Sequence, residues 1–271
     1  MTEATATGAM GQEAIITVEH LVARYDDRTI LEDVSFTVRR GERFLVVGAS
    51  GCGKTTLLRH IIGLQRPAAG RVLLDGEDVG QADEDQLRHL QRKFGVLFQS
   101  GALFASLTLG QNIALALEEY TTLPQEMIDL IVRIKLSMVN LDGFEEFMIA
   151  ELSGGMKKRA ALARAMALDP SILFFDEPSA GLDPVTSAGL DELIVQVNRS
   201  LGTTMFVVSH DLSSIFTIAE RVIMIDGEAK QIIAEGDPRD LRDHHPDPRV
   251  HAFFNRLPAS TLAARRTHGG N

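Results

Sequence analysis

The segment GASGCGKT, residues 48–55, has the residue types and the spacing needed to bind phosphate. It fits the pattern G-x-x-x-x-G-K-[S/T], with Gly48 and Gly53 at its two glycine positions. Glycines let the backbone curl so that consecutive N–H groups face an anion, and the positive end of a following helix adds to the attraction. We expect Lys54 to reach the β and γ phosphates of a nucleotide, and Thr55 to offer its hydroxyl to Mg²⁺.

The remaining residues predicted to line this loop are Ser50, Gly51, Cys52 and Thr56. Cys52 is the only cysteine of the chain, so no internal disulfide can form. The cysteine content therefore gives no indication of an oxidising compartment. A small side chain is enough at its position, and the alternative is that this thiol gives the loop redox control.

Two carboxylates, Asp176 and Glu177, directly follow the apolar run 172–175. Parallel sheets bind their ligands at the carboxyl ends of such buried strands. We expect Asp176 to hold Mg²⁺ through water and Glu177 to polarise the water that attacks the γ phosphate. The alternative is that the two acids are ordinary turn residues.

Two further polar residues end predicted strands of the same sheet. His210 follows the strand 204–209, and Gln99 follows the strand 94–98. At that edge the imidazole could hydrogen-bond the γ phosphate, although a lone histidine is usually structural. Gln99 could contact Mg²⁺ or the attacking water.

The stretch LSGGM, residues 152–156, places a serine and two glycines before a helix that we expect to begin near Lys157. A helix N-terminus of this kind suits an anion. Taken alone, Ser153 could equally be a helix cap, with Gly154 and Gly155 breaking the helical pattern.

The elements that position these residues alternate between strands and helices. This alternation predicts a mainly parallel sheet covered on both faces, preceded by an antiparallel sheet and interrupted by a helical insert. The predicted strands are 15–22, 30–38, 44–47, 70–76, 94–98, 172–175, 204–209 and 221–225, and the predicted helices include 55–62, 84–92, 157–167 and 187–199.

Over residues 15–236 the chain resembles the ATP-binding-cassette (ABC) ATPases. The matching motifs occur in the family's order: Tyr25 for the adenine-stacking aromatic, the phosphate loop, Gln99, LSGGM, ILFFDE (172–177), SAGLD (179–183) and His210. The resemblance implies an α/β fold with a RecA-like P-loop NTPase core, an antiparallel β subdomain and a helical subdomain at about 100–165. Residues 1–14 are expected to be a disordered leader and 237–271 a C-terminal tail.

The same resemblance implies ATP and Mg²⁺ as cofactors and a head-to-tail pair with a second copy of the chain. Ser153, Gly154 and Gly155 would then touch the partner's γ phosphate, and Asp183 would communicate across the interface. Met156 replaces the family's usual glutamine, so a polar contact there is in doubt. Tyr25 has a plainer alternative as an aromatic at the edge of a sheet.

A narrower likeness comes from LFQSGALFASLTLGQNI (97–113), GGMKKRAALARA (154–165) and PDPRVHAFF (246–254). These segments look like the ATPases of Mla-type (maintenance of lipid asymmetry) and related Mce-protein lipid transporters. The likeness implies an ATPase on the cytoplasmic face of the bacterial inner membrane that drives phospholipid or other lipid transport through a separate permease. Residues 99–113 would receive the permease's coupling helix, and STAS-domain and Mce-domain proteins are possible partners.

Composition narrows the alternatives. The net charge of −10 argues against nucleic acid as a partner, and no apolar run approaches the roughly 20 residues needed to span a bilayer. The N-terminus has no secretory signal pattern. Two alternatives to a lipid-transport ATPase remain: the ATPase of another importer, and a non-transport ABC ATPase such as an iron–sulfur assembly factor.

The expected tail carries one apolar cluster and three histidines. Val250, Phe253, Phe254 and Leu257 could pack on the neighbouring cassette or fold back locally. For His244, His245 and His251 we expect a solvated tail rather than a metal site, because no cysteine or fixed ligand spacing accompanies them.

Overall fold

The computed structural model describes residues 13–26 and 28–257. Its strands are β1 (Ala14–Tyr25), β2 (Arg28–Arg39), β3 (Arg43–Val47), β4 (Ala69–Leu74), β5 (Glu77–Asp78), β6 (Phe94–Leu97), β7 (Ile172–Asp176), β8 (Thr204–Val208), β9 (Arg221–Asp226) and β10 (Gln231–Gly236). Its helices are α1 (Lys54–Ile61), α2 (Glu84–Gln91), α3 (Leu109–Tyr120), α4 (Gln125–Met138), α5 (Gly154–Ala165), α6 (Pro184–Leu201), α7 (Leu212–Ile218), α8 (Pro238–His244) and α9 (Pro248–Phe254).

The strands form two sheets. The antiparallel sheet has the order β2-β1-β4-β5, and the larger sheet has the order β10-β9-β3-β8-β7-β6. All neighbours in the larger sheet are parallel except β10, which runs antiparallel to β9. The sequence patterns missed β10, because this edge strand with one partner has only a short apolar stretch, 232–234, between the polar residues Gln231 and Glu235.

Successive residues of the larger sheet face two separate cores. Leu173 and Phe175 belong to the core shared with α3 to α7, whereas Phe174 belongs to the core shared with α1 and the antiparallel sheet. In the second core, the rings of Phe36 and Phe44 stack with their centres 5.3 Å apart and join the two sheets. Burial on both faces explains why every residue of β7 is buried.

The insert between β6 and β7 is helical, with α3, α4 and α5 packed around the first core. The helix expected near Lys157 begins three residues earlier, at Gly154, so the two glycines lie in its first turn instead of breaking the pattern. Glycine is favoured at position 155, since an added Cβ would lie 2.4 Å from Cγ2 of Thr186 on α6 and would force that side chain to move.

The segment expected to be a solvated tail is folded as far as Leu257. Helices α8 and α9 pack on the same subunit, where Val250 and Phe254 are buried in the first core and the Phe254 ring lies 6.1 Å from that of Phe216. Asp237 and Asp247 cap the two helices, each followed by proline at the first helical position, which is a combination that favours a helix start. The apolar cluster therefore folds back locally, except for Leu257, which is exposed.

Two expectations at the chain ends fall largely outside the described residues. The predicted leader, residues 1–14, lies outside them up to residue 12, while Ala14 already belongs to β1. The predicted tail lies outside them from residue 258 onward. Within the part of the chain that the structure describes, no helix is both long and apolar enough to cross a membrane.

Candidate functional site

The phosphate loop connects β3 to α1, as its motif requires. Gly48 has a φ of +145°, and a Cβ at this position would lie 2.4 Å from the carbonyl oxygen of Ile225. Gly53, with a φ of +109°, is the N-cap of α1, and a Cβ there would lie 2.9 Å from a methyl group of Leu31. These glycines are needed because larger residues could take neither the backbone angles nor the space.

Lys54, at the start of α1, is buried and folded over this loop. Its ammonium group donates hydrogen bonds to the carbonyl oxygens of Gly48 at 2.9 Å and Ala49 at 3.0 Å. It also lies 4.0 Å from Oε1 of Glu177. The cation therefore stands between the loop and the carboxylates that follow β7.

Thr55 and Asp176 meet although they are 121 residues apart. The Thr55 hydroxyl donates a hydrogen bond of 2.9 Å to Oδ1 of Asp176. Burial raises the pKa of Asp176, while the hydrogen bond from Thr55 opposes that shift. A hydroxyl beside a carboxylate is an oxygen donor set that suits Mg²⁺, which is commonly held by few protein oxygens together with substrate phosphates.

Glu177 and His210 also come together across neighbouring strands. Nδ1 of His210 lies 2.8 Å from Oε1 of Glu177, and the Glu177 side chain is 12% exposed against 58% for His210. Glu177 has a φ of +49°, a strained backbone state for glutamate that recurs at functional sites. Both side chains line an open cleft of about 430 Å³, which Phe253 and Arg256 also line.

Gln99 and Tyr25 lie outside the cluster of contacting side chains described above. Strand β6 ends with Leu97 paired to Phe175, so Gln99 follows at the sheet edge that carries Asp176. The Tyr25 hydroxyl contacts Nε2 of Gln65 at 2.8 Å, which holds the half-exposed ring near the end of α1.

Ser153 and Asp183 both cap helices. The Ser153 hydroxyl accepts a hydrogen bond from the Met156 N–H at 3.3 Å at the start of α5. Asp183 accepts bonds from two backbone N–H groups of α6 and from the Thr186 hydroxyl, and the last of these is the main reason that its pKa is lowered. A capping role for Ser153 is compatible with anion binding, because both use the same helix N-terminus.

The structure thus brings together five of the predicted site residues: Lys54, Thr55, Asp176, Glu177 and His210. Ser50, Gly51, Cys52 and Thr56 lie in or beside the phosphate loop, with Cys52 buried and the pKa of its thiol raised by that burial. Gly154 faces Leu182, beside Asp183. Sequence reasoning missed Gln65, because no motif marks a residue that acts by holding another side chain.

It also missed Asp191, a buried carboxyl group on α6. Asp191 is 2% exposed, and its Oδ1 has no hydrogen-bond partner among the described residues. Burial is the main cause that raises the pKa of Asp191 to about 6, with the charge of Asp211 acting in the same direction and Ser214 opposing both. The group lies where α6 packs against α7, near Asp211 and Ser214 at the start of α7.

Asp191 predicts a specific dependence of stability on pH. Its pKa rises from 3.8 to about 6 on folding, so the stability linked to its proton is present below pH 3.8 and is lost as the pH rises to about 6. Relative to Asp191→Asn, the wild type should lose about 2 to 3 kcal/mol of unfolding free energy between pH 4 and pH 7. Urea unfolding of both proteins at several pH values measures this difference, and parallel curves would contradict the assignment.

The fold and the site define a nucleotide-binding ATPase in which a phosphate loop and two carboxylates meet at one edge of a mainly parallel sheet. A family model described as ABC transporter matches residues 31–180, more than half of the chain, and the protein belongs to this family. It is accordingly an ABC ATPase that hydrolyses ATP, and its predicted α/β cassette fold is confirmed.

Two curated relatives and one solved structure are informative. The ATP-binding protein MlaF of the intermembrane phospholipid transport system of Escherichia coli K12 is 43% identical over 230 residues, 84% of each chain. The probable ribonucleotide transport ATP-binding protein mkl of Mycobacterium leprae is 39% identical over 92% of this chain and 71% of its own. The dimeric post-hydrolysis state of the cassette MJ0796, bound to ADP and Pi, has a TM-score of 0.74 and 28% identity over 82% of this chain and 98% of its own.

Proposed function

We propose that this protein is the ATPase subunit of a lipid transporter that moves phospholipid between bacterial membranes. The observation that carries the proposal is the 43% identity to the phospholipid-transport protein MlaF over 84% of both chains. The chain would act on the cytoplasmic face of the inner membrane, bound to a separate permease, with Mce-domain and STAS-domain proteins as further partners of the complex.

We assign the chemistry to the cluster around the phosphate loop. The loop backbone and Lys54 bind the ATP phosphates, while Thr55 and Asp176 hold Mg²⁺, which neutralises phosphate charge when it is bound. Glu177 accepts a proton from the attacking water, since its carboxylate is held by His210 at 2.8 Å and faces the loop. His210 would contact the γ phosphate, Gln99 would contact Mg²⁺ or the attacking water, and Tyr25 would stack on the adenine.

A second copy of the chain completes the site in this proposal. The cassette MJ0796 is dimeric, and a two-fold pair of the present chain would bring Ser153, Gly154 and Gly155 to the partner's γ phosphate. Asp183 caps the start of α6 beside Leu182, which faces Gly154, and this position supports a role for Asp183 in communication between the two sites.

One specific observation supports a different cargo. The relative mkl, which is 39% identical, is described as a probable ribonucleotide transport ATP-binding protein. The ATPase site cannot separate the two cargoes, because it acts on ATP in either case. The permease and the molecule that it carries decide between them.

The experiment is affinity purification of the tagged full-length chain from detergent-extracted membranes. We expect a permease and an Mce-domain protein to co-purify, and lipid extraction of the complex to yield phospholipid. Association only with a nucleotide-specific importer, or only with non-membrane assembly proteins, would overturn the lipid proposal.

A matched pair of variants locates the permease contact. Phe104 is 52% exposed in the segment 99–113, while buried Asn112 holds its backbone through hydrogen bonds of 2.8 and 3.1 Å. Phe104→Glu should therefore keep the loop and reduce the recovered permease about tenfold or more, because an apolar contact is replaced by a charge. Leu201→Glu, at a residue 45% exposed at the far end of α6, serves as the control and should retain the permease.

A further inference from the structure

Two basic side chains of α5 hold the backbone of the segment 99–102. The ammonium group of Lys158 donates a hydrogen bond of 2.5 Å to the carbonyl oxygen of Gln99. The guanidinium of Arg164 donates to the carbonyl oxygens of Ala102 at 2.6 Å and Gly101 at 3.0 Å. The segment that carries Gln99 is thus tied to the helix that begins at the LSGGM motif.

Lys158 is a charged residue in a buried position, which is unusual. The residue is only 7% exposed, and a buried ammonium group is costly unless hydrogen bonds or opposite charges compensate for it. Burial lowers the pKa of Lys158, and the negative charges of Asp176 and Glu177 oppose that shift. The two carboxylates of the candidate catalytic site therefore help to keep Lys158 positively charged. They act through their charge alone, because the hydrogen bond of Lys158 goes to the carbonyl oxygen of Gln99.

The held segment has a backbone conformation that needs support. Gly101 has a φ of +77° and Ala102 a φ of +50°, and the second value is unfavourable for a residue with a Cβ. Hydrogen bonds from Lys158 and Arg164 to three of the four carbonyl groups of the segment 99–102 compensate for that strain. We expect that loss of these hydrogen bonds would leave the position of Gln99 relative to Asp176 less firmly fixed.

We propose that Lys158 is a positioning residue, which fixes Gln99 at the nucleotide site of its own subunit and joins it to the α5 helix. That helix begins beside Ser153, the residue assigned to the partner's nucleotide. Lys158 would therefore link the two nucleotide sites of a dimer through one hydrogen bond. The inference rests on the proposed role of Gln99 and does not depend on the nature of the transported molecule.

Replacement of Lys158 by methionine removes the charge and the donor while keeping the length of the side chain. In the purified complex of full-length chain and permease, Lys158→Met should lower kcat about tenfold and change KM for ATP by less than about twofold, since misplacing a group near the chemistry affects the reaction more than binding. Lys158→Arg keeps charge and donors and should restore most of kcat. Lys157→Met, the same change one residue earlier on α5, is the matched control and should behave like wild type.

A double-mutant cycle distinguishes this role from a merely structural one. If Lys158 acts through Gln99, then Lys158→Met added to Gln99→Ala should cause no further loss of kcat, whereas independent effects would multiply. A multiplied loss, an unchanged kcat in Lys158→Met, or an unchanged kcat in Gln99→Ala would each overturn the proposal.

The same samples control for folding and for the wider proposal. Unaltered thermal unfolding and fluorescent-nucleotide binding of Lys158→Met would show that its lower kcat does not come from a damaged fold. If instead nucleotide binding is impaired and Lys158→Arg loses as much kcat as Lys158→Met, Lys158 is only a structural anchor and the proposal is overturned. If the lipid-transport proposal is wrong, a different permease and a different cargo will co-purify. The relative ATPase rates of the Lys158 and Gln99 variants would not change.

Discussion

Glu177→Gln should bind ATP as the wild type does and hydrolyse it about a thousandfold more slowly, since loss of a general base costs 10² to 10⁴ in rate. The amide of glutamine has nearly the shape of the carboxylate and can keep a hydrogen bond to His210, which lies 2.8 Å from Oε1 in the wild type. It cannot accept the proton of the attacking water. Binding and chemistry are therefore separated by a change of one atom.

The measurement combines steady-state ATPase activity with nucleotide retention and size-exclusion chromatography. ATP that is bound and not hydrolysed should hold two subunits together, so the variant should elute as a dimer with unhydrolysed ATP. Glu192→Gln, at an exposed position on α6, is the matched control and should keep both turnover and elution volume. Undiminished turnover in Glu177→Gln would refute the assignment of the base.

The second large effect should come from Ser153, which we assign to the partner's nucleotide. Aspartate and asparagine cap helices about as well as serine, so the start of α5 should survive either substitution. Aspartate also adds a negative charge where the partner's γ phosphate would lie, and like charges repel strongly in a site with little water. We expect Ser153→Asp to lose about a hundredfold or more in kcat and Ser153→Asn to lose much less.

Mixing two inactive variants tests whether the site is shared between subunits. Lys54→Ala removes the cation of the phosphate loop and should weaken ATP binding, while Ser153→Asp damages only the partner's site. A dimer with one copy of each variant has one site with both defects and one intact site. Random mixing should therefore restore roughly a quarter of the wild-type sites. Activity that stays at the level of the separate variants would show that each subunit works alone.

Much of the fold follows from local sequence. The apolar runs of β3, β7, β8 and β9 are buried on both faces, so their patterns are continuous and easily recognised. Helices α8 and α9 are the counterexample, because the sequence marked Val250 and Phe254 as apolar but left open whether they pack on a neighbouring cassette or, as the structure shows, on their own subunit. Seven-residue helices of this kind are stabilised by tertiary packing, which composition does not report.

The sequence by itself determined the chemistry available at the phosphate loop and after β7, since the residue types and spacing there have few other uses. Only the tertiary structure decided which groups meet: Thr55 with Asp176 across 121 residues, Glu177 with His210, and Lys158 with the backbone of Gln99. The first two depend on the parallel strands β3, β8 and β7 of one sheet ending at the same edge. The third could not be found in the sequence at all, because every residue has a carbonyl oxygen and no pattern of side chains marks the one that a lysine will reach.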